Sequence, residues 1–169
     1  MKKILFWLIL LSALLLSSCS SGIGMADILS YQNGDFSAKI SEACDGGFAA
    51  NIAKEGEGIT LEIISPAELE GVRYEMRGGE FYICTGNMRI KLDGGAEKIE
   101  NVFGCFMLDA GGGWKISTSK AGGTDVYKCV SGDTVAYFDK VTRCPYRIER
   151  GNVKIDILSF DGIKQNAAE

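Results

Sequence analysis

The cysteines are the residues of this sequence best suited to chemistry, and there are six of them among 169 residues. The sequence contains no histidine, which excludes Cys-His and Ser-His-Asp catalysis and metal sites with imidazole ligands. Cys19 differs from the others because it directly follows an apolar N-terminal stretch. The remaining five form no CxxC pair and match no zinc-binding spacing; they are Cys44, Cys84, Cys105, Cys129 and Cys144.

The segment before Cys19 has the parts of a secretory signal. Lys2-Lys3 form a positive start, and the thirteen apolar or small residues 4–16 follow, fewer than the ~20 that a membrane-spanning helix needs. The next residues, Leu16-Ser17-Ser18-Cys19, resemble the lipobox of bacterial lipoproteins. In that family the signal peptide is cleaved before the cysteine, whose thiol carries a diacylglycerol. The alternative is an ordinary secretory signal followed by a chance cysteine.

The lipobox resemblance implies a division of the chain. Residues 1–18 are expected to be a signal peptide, 19–24 a lipidated tether, 25–162 a folded domain and 163–169 a polar tail. Two acyl chains give stable anchoring, at ~0.8 kcal/mol per buried methylene. We therefore expect a lipid-anchored location on the extracytoplasmic side of the cell membrane. The full sequence has 18 basic and 22 acidic residues, a net charge of −4 that argues against a nucleic-acid partner. Loss of the two N-terminal lysines leaves 16 basic against 22 acidic residues, so the acidic domain gains nothing from anionic headgroups.

The five cysteines after position 19 allow two interpretations. An odd number permits at most two internal disulfides, and export usually means an oxidising environment. A redox or metal-binding role is one interpretation, and small buried apolar side chains are the other, which the wide spacing favours. A disulfide between Cys129 and Cys144 is compatible with the sequence. We expect no metal and no cofactor.

From Phe36 onwards the apolar residues alternate with polar ones, and short glycine turns separate the segments. This pattern predicts a mainly β (α+β) fold with about 10–11 short antiparallel strands. So many strands must curl into a barrel or stack to protect their edges. Residues 25–31 have the spacing of a short helix. Residues 96–109 predict an amphipathic helix, with apolar residues at Ile99, Val102, Phe103, Phe106 and Met107.

The order of these elements resembles the lipoprotein-carrier superfamily, the LolA/LolB/RseB-like fold. The resembling pieces are the N-terminal helix leading into Phe36, the strand 59–64 running into Ser65-Pro66, the helical insertion 96–109, and the segment 139–148, which is similar to the family's D-x-x-T-G-x-P-x-x-I link. Arg143 stands where that link usually has glycine. The resemblance implies a strongly curved, half-open antiparallel barrel with a covering helix and a hydrophobic pocket beneath it.

The resemblance implies that this pocket holds or senses acyl chains, and the apolar stripe of the helix would then line it. The expected pocket residues are Ile99, Val102, Phe103 and Phe106. The alternative is that the same stripe closes an ordinary core. We therefore expect a membrane-tethered, non-enzymatic lipoprotein that binds an acyl chain, a lipid or another lipoprotein.

Two other functions stay open at this stage. One is an envelope protein that interacts with a partner protein through an exposed sheet edge, or senses one. The other is a hydrolase of the cell envelope, which needs two facing carboxylates; the aspartates are scattered near predicted turns, at Asp45, Asp93, Asp125, Asp139 and Asp156. A modest basic cluster on neighbouring predicted strands is compatible with an anionic headgroup or a solvated sheet face, and it comprises Arg73, Arg77, Arg89 and Lys91.

Overall fold

The computed structural model describes residues 22–43, 47–94 and 97–162. The predicted signal peptide, the expected lipidation site Cys19, the expected polar tail 163–169, Cys44 and Asp45 lie outside these ranges. The described helices and strands run from Met25 to Gly162.

Two α-helices, two short 3-10 helices and eleven strands make up the described part of the chain. Helix α1 (Met25–Ile28) continues as a 3-10 helix (Leu29–Asn33), a second 3-10 helix (Ala67–Leu69) separates β3 from β4, and α2 is Glu97–Phe106. The strands before α2 are β1 (Phe36–Glu42), β2 (Ala49–Glu55), β3 (Gly58–Ser65), β4 (Arg73–Arg77), β5 (Glu80–Thr85) and β6 (Met88–Leu92). Those after it are β7 (Lys115–Ala121), β8 (Thr124–Ser131), β9 (Thr134–Asp139), β10 (Pro145–Arg150) and β11 (Val153–Gly162).

All eleven strands form a single antiparallel sheet in the order β6-β5-β4-β3-β2-β1-β11-β10-β9-β8-β7. The sheet consists of two meanders, β1–β6 and β7–β11, joined by the pairing of β1 with β11. The sheet is curved, and it is open because its end strands β6 and β7 do not pair with each other. The expected mainly β fold, an open curved sheet of about 10–11 strands with a covering helix and a short N-terminal helix, is confirmed.

The position of α2 follows from this strand order. Strands β6 and β7 lie at opposite edges of the sheet, so the chain between them has to cross one face, and α2 lies in this connection. The predicted helix 96–109 is too long at its C-terminus, since α2 ends at Phe106. The following residues form a turn in which the Asp109 carbonyl accepts hydrogen bonds from Gly112 N and Trp114 Nε1.

The core lies between this face of the sheet and the helices. On β1, for example, Phe36, Ala38 and Ile40 are buried and alternate with polar residues, which is the period of a half-buried strand. The buried core cluster extends from Met25 to Ile155. The segment that follows Cys19 therefore contains the whole core of the described residues, and we expect it to fold without the lipid anchor.

The link between β9 and β10 is held by Asp139. Its Oδ1 accepts hydrogen bonds from the backbone N–H groups of Val141, at 2.9 Å, and Thr142, at 2.7 Å. These bonds hold the pKa of the Asp139 carboxyl below its ordinary value, and the bond from the Thr142 N–H has the largest effect. Two residues of the expected link, the aspartate and the threonine, thus form a closed turn. Arg143 follows it with φ of 59°, the left-handed region that favours glycine.

Replacing Arg143 by glycine is expected to stabilise the domain by about 1 kcal/mol, because a side chain in the left-handed region is strained. Urea denaturation of the segment from Ser20 onwards measures the effect. Arg143→Ala is the matched control, since it removes the guanidinium but keeps the Cβ. An equal gain from alanine would attribute the effect to charge and not to backbone conformation.

Candidate functional site

Helix α2 packs on one face of the sheet, which we call the helix face. Val102, Phe103 and Phe106 have no solvent exposure. The ring of Phe103 stacks on that of Phe81 in β5, with centroids 6.0 Å apart, and the ring of Phe106 stacks on that of Phe36 in β1 at 5.9 Å. The helix therefore covers the sheet from β1 to β5 at these points.

One ion pair and one close approach join α2 to the sheet. At its N-terminal end, Lys98 Nζ lies 3.0 Å from Oε2 of Glu42, whose side chain is fully buried. Near its C-terminal end, Gly104 faces the guanidinium of Arg150 on β10, and a Cβ at position 104 would overlap that group. The glycine inside the helix, unfavourable for helix formation alone, therefore allows β10 to approach α2 closely.

The expected pocket residues are brought together on the inner side of α2. Ile99 is half-buried and packs against the core, whereas Val102, Phe103 and Phe106 belong to the fully buried cluster. A ligand reaches these three side chains only if α2 moves away from the sheet. That they line a ligand pocket stays a prediction.

The helix face has an open part towards β6. Residues directly opposite each other on antiparallel strands share a face, and one such row runs from Leu61 through Tyr74 and Ile83 to Ile90. Exposure rises along this row: Leu61 is fully buried, Tyr74 and Ile83 are half-buried, and Ile90 is 54% exposed. The cover that α2 provides therefore ends before β6.

We call this open part the apolar shelf. It consists of Tyr74, Ile83, Met88, Ile90 and Leu92. Met88 is 61% exposed, although it lies on the face that forms the core elsewhere in the sheet. Large apolar side chains exposed side by side are typical of binding surfaces. Sequence reasoning on α2 missed the shelf, although the alternation of Met88, Ile90 and Leu92 with Arg89 and Lys91 is visible in the sequence.

The expected basic cluster lies on the opposite, outer face of β4 and β6, where carboxylates accompany it. Glu75 bridges two arginines, Arg73 at 3.0 Å and Arg89 at 3.1 Å. Lys91 lies 2.6 Å from Glu80 and, by donating to it, holds the pKa of this carboxyl below its ordinary value. These ion pairs are those of a solvated sheet face.

A groove of about 540 Å³ also lies on this outer face. Its charged lining residues are three glutamates and three arginines, Glu55, Glu62, Glu75, Arg73, Arg77 and Arg89. Their formal charges cancel, so the groove has no net preference for an anionic or a cationic ligand. None of the expected pocket residues of α2 lines it.

The described cysteines are free thiols, so Cys129 and Cys144 do not form the disulfide that the sequence allows. Cys84, Cys105 and Cys129 are buried. Burial raises the pKa of Cys105 to about 12 and that of Cys129 to about 11. Thiols with such pKa values are not nucleophiles near neutral pH, and the interpretation as small buried side chains fits these positions.

Three of the four described aspartates that the sequence singles out have structural partners, and Asp45 lies outside the described residues. Asp139 closes the β9–β10 link, Asp156 pairs with Arg147, and Asp125 lies 4.0 Å from Lys120. Within residues 22–43, 47–94 and 97–162, no group of three or more Cys, Asp or Glu side chains is arranged to hold a metal ion. The same ranges contain no helix of the length and hydropathy required to cross a membrane.

No family model and no curated protein matches the chain. Among solved structures it is similar to an uncharacterized conserved protein from Thermus thermophilus, with a TM-score of 0.56 and 11% identity over 82% of this chain and 85% of that one. The two proteins share a fold. At this identity the likeness shows the fold alone.

Two further similar structures have lower scores. One is a LolA superfamily protein from Nitrosomonas europaea, with a TM-score of 0.38 and 11% identity over 83% of this chain and 94% of that one. The other is the lipoprotein LppX from Mycobacterium tuberculosis, with a TM-score of 0.42 and 12% identity over 79% of this chain and 88% of that one.

Proposed function

We propose that this protein is a membrane-tethered, non-enzymatic lipoprotein whose folded domain binds an acyl chain, of a lipid or of another lipoprotein, along the apolar shelf. The anchor is the diacylglycerol on Cys19, which places the domain on the extracytoplasmic side of the cell membrane. The acyl chain lies on the helix face of β5 and β6. Its partners are the membrane, through the anchor, and this acyl ligand.

One observation carries the proposal, namely the rise in exposure across the helix face. Ile90 is more than half exposed at the end of a row that begins with the fully buried Leu61, and its neighbour Met88 on the same face is also more than half exposed. Covering such side chains contributes about 25 cal/mol per Å² of apolar surface removed from water. An acyl chain offers that cover, since each of its methylenes contributes ~0.8 kcal/mol when buried.

The geometry of α2 determines where the acyl chain lies. Phe103 and Phe106 are already packed against rings of the sheet, and an acyl chain between them would have to displace these contacts. The shelf needs no such displacement. Tyr74 and Ile83 form its floor, and Ile99 is the half-buried residue of the apolar stripe. The acyl chain therefore adds to the core at its open side.

The first test is native mass spectrometry of the segment from Ser20 onwards, purified from cells and also after addition of palmitate. A co-purifying lipid mass, or stoichiometric uptake of palmitate, is the expected result. An apo mass under both conditions would contradict acyl binding. That result would favour a function in which the domain binds a partner protein and no lipid.

The second test locates the site by titration with the fluorescent fatty acid cis-parinaric acid. Ile90→Asp is expected to weaken binding at least about tenfold, because it places a carboxylate beside the acyl chain and charges are costly to bury. Leu158→Asp is the matched control, since Leu158 of β11 is 58% exposed and lies outside the shelf. Equal affinities for the two variants would remove the shelf as the site.

A further inference from the structure

We propose that the free edge of β6 binds an extended segment of a partner protein as an additional strand, and that this segment alternates apolar with acidic residues. This interaction is separate from acyl binding, although the apolar residues of the segment would lie beside the shelf.

The backbone of β6 has unpaired groups on one side. Strand β6 ends the sheet, and no described strand pairs with it on the side away from β5. The turn at Gly86-Asn87 joins Thr85 to Met88, so this pair closes the hairpin, and hydrogen-bonded pairs recur at every second residue from there. The N–H and C=O groups of Arg89 and Lys91 therefore point away from the sheet.

The side chains of β6 determine which segment fits. Met88 and Ile90 are exposed on the helix face, and Arg89 and Lys91 are about half exposed on the outer face. A neighbouring strand places its side chains alternately on the same two faces. Apolar residues of the partner then extend the shelf. Its acidic residues lie next to the two cations, which pair with Glu75 and Glu80 on the side of β4 and β5 and keep about half of their side-chain surface exposed. Opposite charges in directly facing positions of neighbouring strands attract, whereas like charges there are destabilising.

A second copy of this chain does not meet these requirements. Antiparallel pairing of two β6 strands centred on Ile90 sets Arg89 of one copy opposite Lys91 of the other. Centring the pair on Arg89 or on Lys91 sets that cation opposite itself. These three registers keep the apolar residues on one face and oppose like charges, which is a known means of preventing edges from pairing with themselves.

The opposite edge of the sheet differs in chemistry. The exposed side chains of β7 are polar, namely those of Lys115, Ser117, Thr118 and Lys120, and none of the large exposed apolar residues lies on it. A partner strand could pair with the backbone of β7, but it would find no row of exposed apolar side chains there. Its lysines supply the matched control for changes of charge on β6.

The experiment titrates the ¹⁵N-labelled segment from Ser20 onwards with three synthetic seven-residue peptides. The first alternates valine with glutamate, the second alternates valine with lysine, and the third is the glutamate peptide with its backbone nitrogens methylated. We expect the first peptide to shift the amide resonances of Arg89 and Lys91 and to slow their hydrogen exchange. The second and third are expected to bind at least about tenfold more weakly, through like charges and lost backbone bonds respectively.

Reversing the charges on β6 also tests whether this edge prefers an acidic peptide. The double variant Arg89→Glu with Lys91→Glu is expected to reverse the preference to the lysine peptide, whereas Lys115→Glu with Lys120→Glu on β7 leaves it unchanged. Binding of cis-parinaric acid is expected to persist in both, so this proposal and acyl binding fail independently. Equal binding of the charged peptides, shifts confined to β7, or a β6-mediated dimer would overturn the proposal.

Discussion

Replacing Phe103 by alanine is expected to lower the free energy of unfolding by about 3–5 kcal/mol, the usual cost of removing a buried phenylalanine ring from a core. The ring has no solvent exposure and stacks on Phe81, so its loss leaves a cavity between α2 and β5. Typical domains are stable by about 5–15 kcal/mol in total. The variant is therefore expected to unfold at a much lower urea concentration.

Ile90→Ala is the control for this prediction. Ile90 lies on the same face of the sheet but is 54% exposed, and a surface change of this kind alters stability by about 0.5 kcal/mol or less. A small loss of stability in Phe103→Ala would mean that α2 is loosely packed. In that case the pocket expected beneath the helix becomes the better site for an acyl chain, and titration of the same variant with cis-parinaric acid would show a change in affinity.

The strands were predictable because their signals are local. Alternation of apolar and polar residues has a period of two, and glycine turns separate the segments, so the pattern predicts about 10–11 strands and the described residues contain eleven. The end of α2 was not predictable in the same way. Met107 continues the apolar stripe of the helix in the sequence. In the structure it is 44% exposed and lies beyond the last helical residue. The chain there enters the turn in which the Asp109 carbonyl accepts hydrogen bonds from Gly112 N and Trp114 Nε1.

The shelf depends on information that no local pattern contains. Leu61 and Ile90 occupy equivalent positions in their strands, but only Leu61 is covered. The difference arises from the strand order, which puts β6 at an edge, and from the width of α2, which reaches β5 through Phe103. Sequence periodicity assigns both residues to the same face and leaves open how far the cover extends.

At two positions the residue is unfavourable for its local backbone structure, and contacts with other parts of the fold account for the conformation there. Gly104 weakens the helix signal, and the structure places it against Arg150, where a larger residue would have to displace the guanidinium. Arg143 departs from the glycine of the expected link, yet the backbone keeps the positive φ that glycine would favour. The conformation of the link is therefore imposed by its neighbours, Asp139 above all, and not by the residue at the strained position.

Removal of the expected lipid anchor should abolish a measurable property of the protein entirely, namely its acylation. Cys19→Ser is expected to abolish acylation of the protein, because the resemblance to a lipobox assigns the diacylglycerol to this thiol and serine offers none. Cells expressing the protein are grown with an alkynyl analogue of palmitate, and the purified protein is tested for the label. The wild type is expected to carry it, and the variant to carry none.

Cys144→Ser is the matched control, since Cys144 is a partly exposed free thiol of the folded domain and its replacement leaves the anchor in place. It is expected to be labelled like the wild type. Label retained in Cys19→Ser would place the acyl group elsewhere and remove the membrane tether at this position. Without the anchor, an acidic domain has no electrostatic attraction to anionic headgroups, so the unlabelled variant, once freed of its signal peptide, is expected in the soluble fraction.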